Sequence, residues 1–110
     1  MIDIKDFEKV DIRVGTIIES IYNDKANKPC ILLIIDFGTK IGLKKTSAQL
    51  TKNYNPHELI GKQVAAVINF PPKQIGKMIS EILVLGFPDN KNEPILVMPS
   101  KKVSNGGKLF

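Results

Sequence analysis

The stretch NPHELIG, residues 55–61, decides the fold. Asn55 suits a helix N-cap, Pro56 the first helical position, Glu58 the reciprocal capping partner and Gly61 the stop, so these residues predict a single helical turn. Three strand-like runs precede that turn and at least two follow it. Nearest upstream, Gly38-Thr39 reads as a tight reversal into a third strand, with Ile41, Leu43, Lys45 and Ser47 on one side and Gly42, Lys44 and Thr46 on the other. Before it, CILLIIDF (30–37) is too short and too β-branched for a helix and predicts a deeply buried strand, entered from the polar turn NDKANKP (23–29). The first strand is read from Val10, Ile12 and Val14 alternating with Asp11 and Arg13, and Gly15 in mid-run predicts a bulge before Ile17, Ile18 and Ile21.

Downstream of the turn, KQVAAVINF (62–70) predicts a fourth strand that ends at Pro71-Pro72, since proline supplies no ladder donor. PPKQIGKM (71–78) then reads as a stiff loop with a glycine hinge, and ISEILVLGF (79–87) as a fifth strand with Ile79, Glu81, Leu83 and Leu85 on one side. Pro88 to Glu93 is a turn, and PILVMP (94–99) offers a short sixth strand. At the two ends, Asp3 caps a short helix over IKDFEK with Phe7 turned inward, and KKVSNGGKLF carries a turn before Leu109 and Phe110. Strands, one short helix after the third, and more strands predict an all-β fold. The expected architecture is an OB-fold five-stranded Greek-key barrel with short helices and N- and C-terminal extensions, one domain over residues 1–110.

Composition narrows the function. With 43% hydrophobic and 25% charged residues, the 110-residue chain has the makings of an ordinary globular core. No apolar run approaches the roughly 18 residues that span a bilayer. MIDIKDFEKV lacks the apolar centre of a secretory signal, which sets the cytoplasm as the expected location. A single cysteine, Cys30, and a single histidine, His57, leave no disulfide and no ligand set for a typical zinc site; Cys30 reads as a small core hydrophobe. His57 lies in the helix-start signal, and GxSxG, P-loop and GxGxxG motifs are all absent, so no catalytic residue, metal or cofactor is expected. Tyr54, directly before the helix cap, reads as a hydrophobic staple.

The net charge of +5 is unevenly spread: residues 1–24 carry −3, whereas residues 37–80 carry +6. Fifteen of the sixteen basic residues are lysine, so a nucleic-acid contact here would be mainly electrostatic, without the bidentate fork of arginine. In an OB barrel the face of strands two and three and the neighbouring loops receive extended ligands. Lys44, Lys45, Ser47, Gln49, Lys73 and Lys77 fall there.

DIRVGTI (11–17), SAQLTKNYNPHELIGKQV (47–64), NFPPKQIG (69–76) and SEILVLG (80–86) resemble the tRNA-binding-domain family. The NFPP loop, the later Ser80-Glu81 pair and DFGTKIGLKKTSAQ (36–49) are similar to its CsaA branch. The resemblance covers nearly the whole chain. It implies a cytoplasmic, homodimeric, export-related chaperone that binds unfolded preproteins and the Sec translocation ATPase SecA. The runner-up it implies is a tRNA-binding protein that recognises tRNA structure through a basic OB-fold face.

In the RNA-binding branch the fourth strand ends in a pattern like NLxPRKMRG, followed by SEGM. Asn69 matches the asparagine, Lys73 stands for the arginine, and Ser80 and Glu81 match the serine and glutamate. Gln74 replaces the second basic residue, Ile75 the methionine, and Ile82 the glycine after the pair. These changes remove an arginine fork and one charge, and with Met78 and Ile79 they shift the expected ligand toward a partly apolar peptide. The expected ligand-binding set is Lys44, Lys45, Ser47, Gln49, Asn69, Lys73, Ile75, Met78, Ser80 and Glu81. Ile2, Ile4, Val103, Leu109 and Phe110 are more apolar surface than one small barrel can bury, and a second copy is expected to cover them.

Overall fold

The computed structural model describes residues 1–24 and 27–110; the turn expected over 23–29 therefore lies partly outside the described residues. The order is α1 (Ile4–Glu8), β1 (Ile12–Asn23), β2 (Cys30–Asp36), β3 (Leu43–Ala48), α2 (Pro56–Leu59), β4 (Gln63–Val67), β5 (Lys73–Ile75), β6 (Met78–Ser80), β7 (Leu83–Val84), β8 (Gly86–Pro88) and β9 (Pro94–Leu96). Five strands form one antiparallel sheet in the order β3-β2-β1-β4-β7. β5–β6 and β8–β9 are two-stranded hairpins. The sheet curls into a half-barrel, an OB-like fold, and no described helix is long and apolar enough to cross a membrane.

The helical turn forms as its caps require. Asn55 Oδ1 accepts from His57 N at 3.1 Å, and Asn55 N donates back to Glu58 Oε1 at 2.9 Å. It buries Leu59, and Gly61, at φ +88°, hands the chain back to β1 through a bond from its N–H to the Ile17 carbonyl. α1 is closed by the same device, Asp3 with Asp6; Phe7 is only half-buried.

β2 runs through the middle of the core. Ile31, Leu33, Ile35 and Phe37 are buried, while Leu32 and Ile34 are half-buried, so the strand alternates rather than being enclosed on both faces. Ile17, Leu50, Leu59, Val64, Ala66, Ile82 and Leu96 complete the core cluster.

Four further sequence expectations need correction. The bulge in β1 is at Ile18, not Gly15, because the register with β2 slips between Ile17 and Glu19. Gly15 is there for close approach: a Cβ on it would lie 2.6 Å from Ile35 Cγ2 and 2.8 Å from Phe37 Cδ1. The reversal before β3 is wider than Gly38-Thr39; it runs from Gly38 to Gly42, at φ +91° and +84°, and is closed by Gly42 N donating to Gly38 O at 2.7 Å. Residues 71–78 are not a plain loop, since Lys73–Ile75 and Met78–Ser80 pair as a hairpin turning at Gly76. Finally, 79–87 is not one strand. Ser80 ends the hairpin, Leu83–Val84 joins β4, and Gly86–Pro88 pairs with Pro94–Leu96, so three partners divide one apolar run.

Candidate functional site

The edges of the half-barrel, β3 and β7, meet without a ladder. Glu81, just before β7, donates its N–H to the Lys45 carbonyl at 2.9 Å and accepts the Lys45 N–H on Oε1 at 3.0 Å. Ser80 Oγ accepts from Ser47 N at 3.0 Å, and Thr46 Oγ1 donates to the Ile82 carbonyl at 3.0 Å while lying 3.3 Å from Ser80 Oγ. Thr46 and Ser80 are both buried. At one end of the seam, then, side chains stand in for a missing strand.

Beyond that end the seam opens into a groove of about 730 Å³. Its deeper lining includes Leu50, Ile82 and Leu96, all buried, and its exposed apolar lining includes Phe70, Ile75 and Leu83. Charge enters through Lys73 on one hairpin and through Glu81 and Glu93, while Ser47, Gln49 and Asn92 add neutral polar groups. Of the seven lysines between residues 37 and 80, only Lys73 is part of this lining.

Six of the ten expected site residues line the groove: Ser47, Gln49, Lys73, Ile75, Ser80 and Glu81. The other four lie outside it. Lys44 and Lys45 sit further along β3, opposite Ile35 and Ile34, and Met78 pairs with Ile75 in the β5–β6 hairpin. Asn69 ties the end of β4 to the start of β1: its Oδ1 accepts from Asp11 N at 2.9 Å and its Nδ2 donates to the Lys9 carbonyl at 2.7 Å.

Tyr54 is half-buried against the core, and its hydroxyl accepts from Leu96 N at 2.9 Å, so it braces β9. Cys30 is buried, with the Ser47 hydroxyl donating to its sulfur at 3.0 Å. Arg13, the one arginine, holds the C-terminal segment: Nε bonds Asp11 at 2.6 Å and Nη1 donates to the Gly106 carbonyl at 2.9 Å.

Phe70 and Glu93 line the groove without having been expected there. Phe70 carried a readable signal, because an aromatic directly before two prolines sits where the ladder ends and has no sheet neighbour to cover it. Glu93 carried none, since its place depends on the β8–β9 turn. That turn is held by Asp89, whose Oδ1 accepts from Lys91 N and Glu93 N and whose Oδ2 accepts from Asn53 Nδ2 at 2.9 Å. The Asn53 bond first, then the two backbone bonds, hold the Asp89 carboxyl below its ordinary value.

Residues 12–108 match the family described as "Putative tRNA binding domain". The chain belongs to the tRNA-binding-domain family. The crystal structure of the chaperone CsaA of Bacillus anthracis superposes with a TM-score of 0.94 at 43% identity, covering 100% of this chain and 99% of that one. That of the CsaA chaperone protein of Picrophilus torridus gives 0.91 at 47%, covering 100% of both. Among sequences, the methionine–tRNA ligase of Parabacteroides distasonis is 32% identical over 110 residues, and that of Pyrococcus horikoshii 37% over 105. The matched segment spans 98% and 96% of this chain but only 16% and 14% of the two ligases.

Ser80→Ala removes the acceptor for Ser47 N–H at a buried position, and a loss of about 1–3 kcal/mol in urea-unfolding stability is expected. An unchanged unfolding midpoint would show that Ser80 does not hold the seam.

Proposed function

We propose that this member of the tRNA-binding-domain family is a CsaA-like, non-catalytic chaperone whose groove between β3 and β7 holds extended, partly apolar segments of unfolded preproteins. The observation that carries this reading is the chemistry of the groove. Its walls are largely aliphatic and aromatic, with one lysine against two glutamates, Glu81 and Glu93. A polyphosphate backbone entering it would meet more negative than positive charge, whereas RNA affinity is built on neutralising phosphates. An unfolded chain finds apolar contact and a few polar anchors there. Gln49, Lys73 and Ile75 are assigned to touch the ligand; Ser47, Ser80 and Glu81 shape the end of the groove.

The likeness to CsaA structures over the whole chain supports the same assignment. With it come a cytoplasmic role in protein export and an encounter with SecA as parts of the proposal. A second reading, recognition of tRNA structure, is favoured by the family match and by the ligase relatives. Its contacts would be Lys44, Lys45 and Lys73 with Lys77, outside or at the margin of the groove.

Parallel titrations of peptide arrays and tRNA across salt separate the readings. Peptide binding is expected to survive moderate salt and to fall further in Ile75→Ser than in Lys73→Ala. If about four phosphates are neutralised instead, tRNA affinity falls with a log–log slope near −3.6 and Lys73→Ala weakens it. An array without binding, from folded protein, contradicts the chaperone reading.

Ile2, Ile4, Val103, Leu109 and Phe110 are all exposed, which supports a homodimer that covers them. Light scattering is expected to give twice the 12.2 kDa chain mass; a single-chain mass across the micromolar range would contradict it.

A further inference from the structure

The free edge of β3 asks for a partner that the chain supplies only in part. β3 and β7 are the two outer strands of the sheet, and among the described residues no backbone hydrogen bond joins them. Along β3 the imitation of a partner strand proceeds residue by residue. Lys45 is served by Glu81 through both its N–H and its C=O, and the Ser47 N–H is served by the Ser80 hydroxyl. There the series stops. Gln49, two residues on and exposed in the groove, makes no hydrogen bond among the described residues. β3 ends at Ala48, which lies opposite Ile31 of β2 and whose carbonyl also takes the Leu50 N–H at 3.0 Å. The Ser47 carbonyl and the Gln49 N–H on either side of Ala48 therefore turn away from β2, as the Lys45 and Ser47 N–H groups do, and border the groove.

We propose that the groove takes its ligand by strand addition. An extended peptide lies along β3 past Ser47, bonding through its backbone to the Ser47 carbonyl and the Gln49 N–H, with alternate side chains over Leu50, Ile82 and Leu96. This deepens the chaperone reading and rests on it. The occupant follows from the edge. Donors and acceptors repeating at the strand period are matched by an extended polypeptide backbone and not by a nucleic-acid strand, whose backbone offers no such ladder. Backbone bonding also tolerates many sequences, which a holder of unfolded segments needs, while the apolar floor still selects for one side chain in two.

The test places the question on the peptide. A short, end-capped synthetic peptide alternating leucine with serine is compared by calorimetry with two N-methylated versions, one methylated at the leucines and one at the serines. Strand addition turns alternate N–H groups toward β3, so one version is expected to lose about tenfold or more in affinity while the other stays within about twofold of the parent. Two versions that bind like the parent, or two that lose binding equally, overturn strand addition and leave peptide binding standing. A parent peptide that does not bind overturns the chaperone reading itself. On the protein side the two variants are compared with each other: Gln49→Pro, which lacks the backbone N–H, is expected to bind the parent peptide about tenfold more weakly than Gln49→Ala, which keeps it. Equal binding by the two folded variants counts against the assigned Gln49 contact.

Discussion

Every strand edge carries unpaired N–H and C=O groups that must be satisfied or exposed, and the organisation of this protein turns on how one such edge is handled. The sheet curls far enough to bring β3 beside the segment that leads into β7, yet it does not zip closed. Glu81, Ser80 and Thr46 complete the junction at one end with side-chain bonds. A continuous ladder would have left no groove. An entirely open edge would invite uncontrolled pairing between copies. The partial closure gives a bounded opening with a buried apolar floor of Leu50, Ile82 and Leu96.

Three of the residues that resemble the family's RNA site, Asn69, Ser80 and Glu81, are in this chain occupied by its own scaffold. Asn69 spans from the end of β4 to the backbone of Lys9 and Asp11, and Ser80 and Glu81 bind β3. The single arginine is spent on the C-terminal segment. What faces the groove instead is mainly aliphatic and aromatic surface with mixed, sparse charge. The +6 carried by residues 37–80 is thus distributed over the molecule's surface, with Lys73 its one representative in the groove lining.

Structure is legible in the sequence where a few adjacent residues determine the outcome. The NPHELIG helix turn follows from its capping residues, and the strand character of β1, β2 and the run 62–70 from their short apolar patterns, although β4 itself closes at Val67 and β2 alternates in burial. Legibility ends where distant segments compete for the same backbone. The apolar run 79–87 reads as one strand, but β5, β4 and β9 each take a piece of it. Gly15 suggests a bulge until the side chains of Ile35 and Phe37 are placed above it. In the groove, Lys73 and Ile75 were legible from the loop resemblance, whereas Glu93 depends on Asp89 and Asn53 fixing a turn from a remote part of the chain.

Amide hydrogen exchange resolved to single residues, with and without a bound apolar peptide, addresses the seam most directly. Ligand-induced protection is expected at Gln49 and along Leu83 to Gly86, with the already bonded amides of Lys45 and Ser47 changing least. Protection centred on the lysine-bearing surface of Lys44, Lys45 and Lys77, with the groove unaffected, would contradict the account.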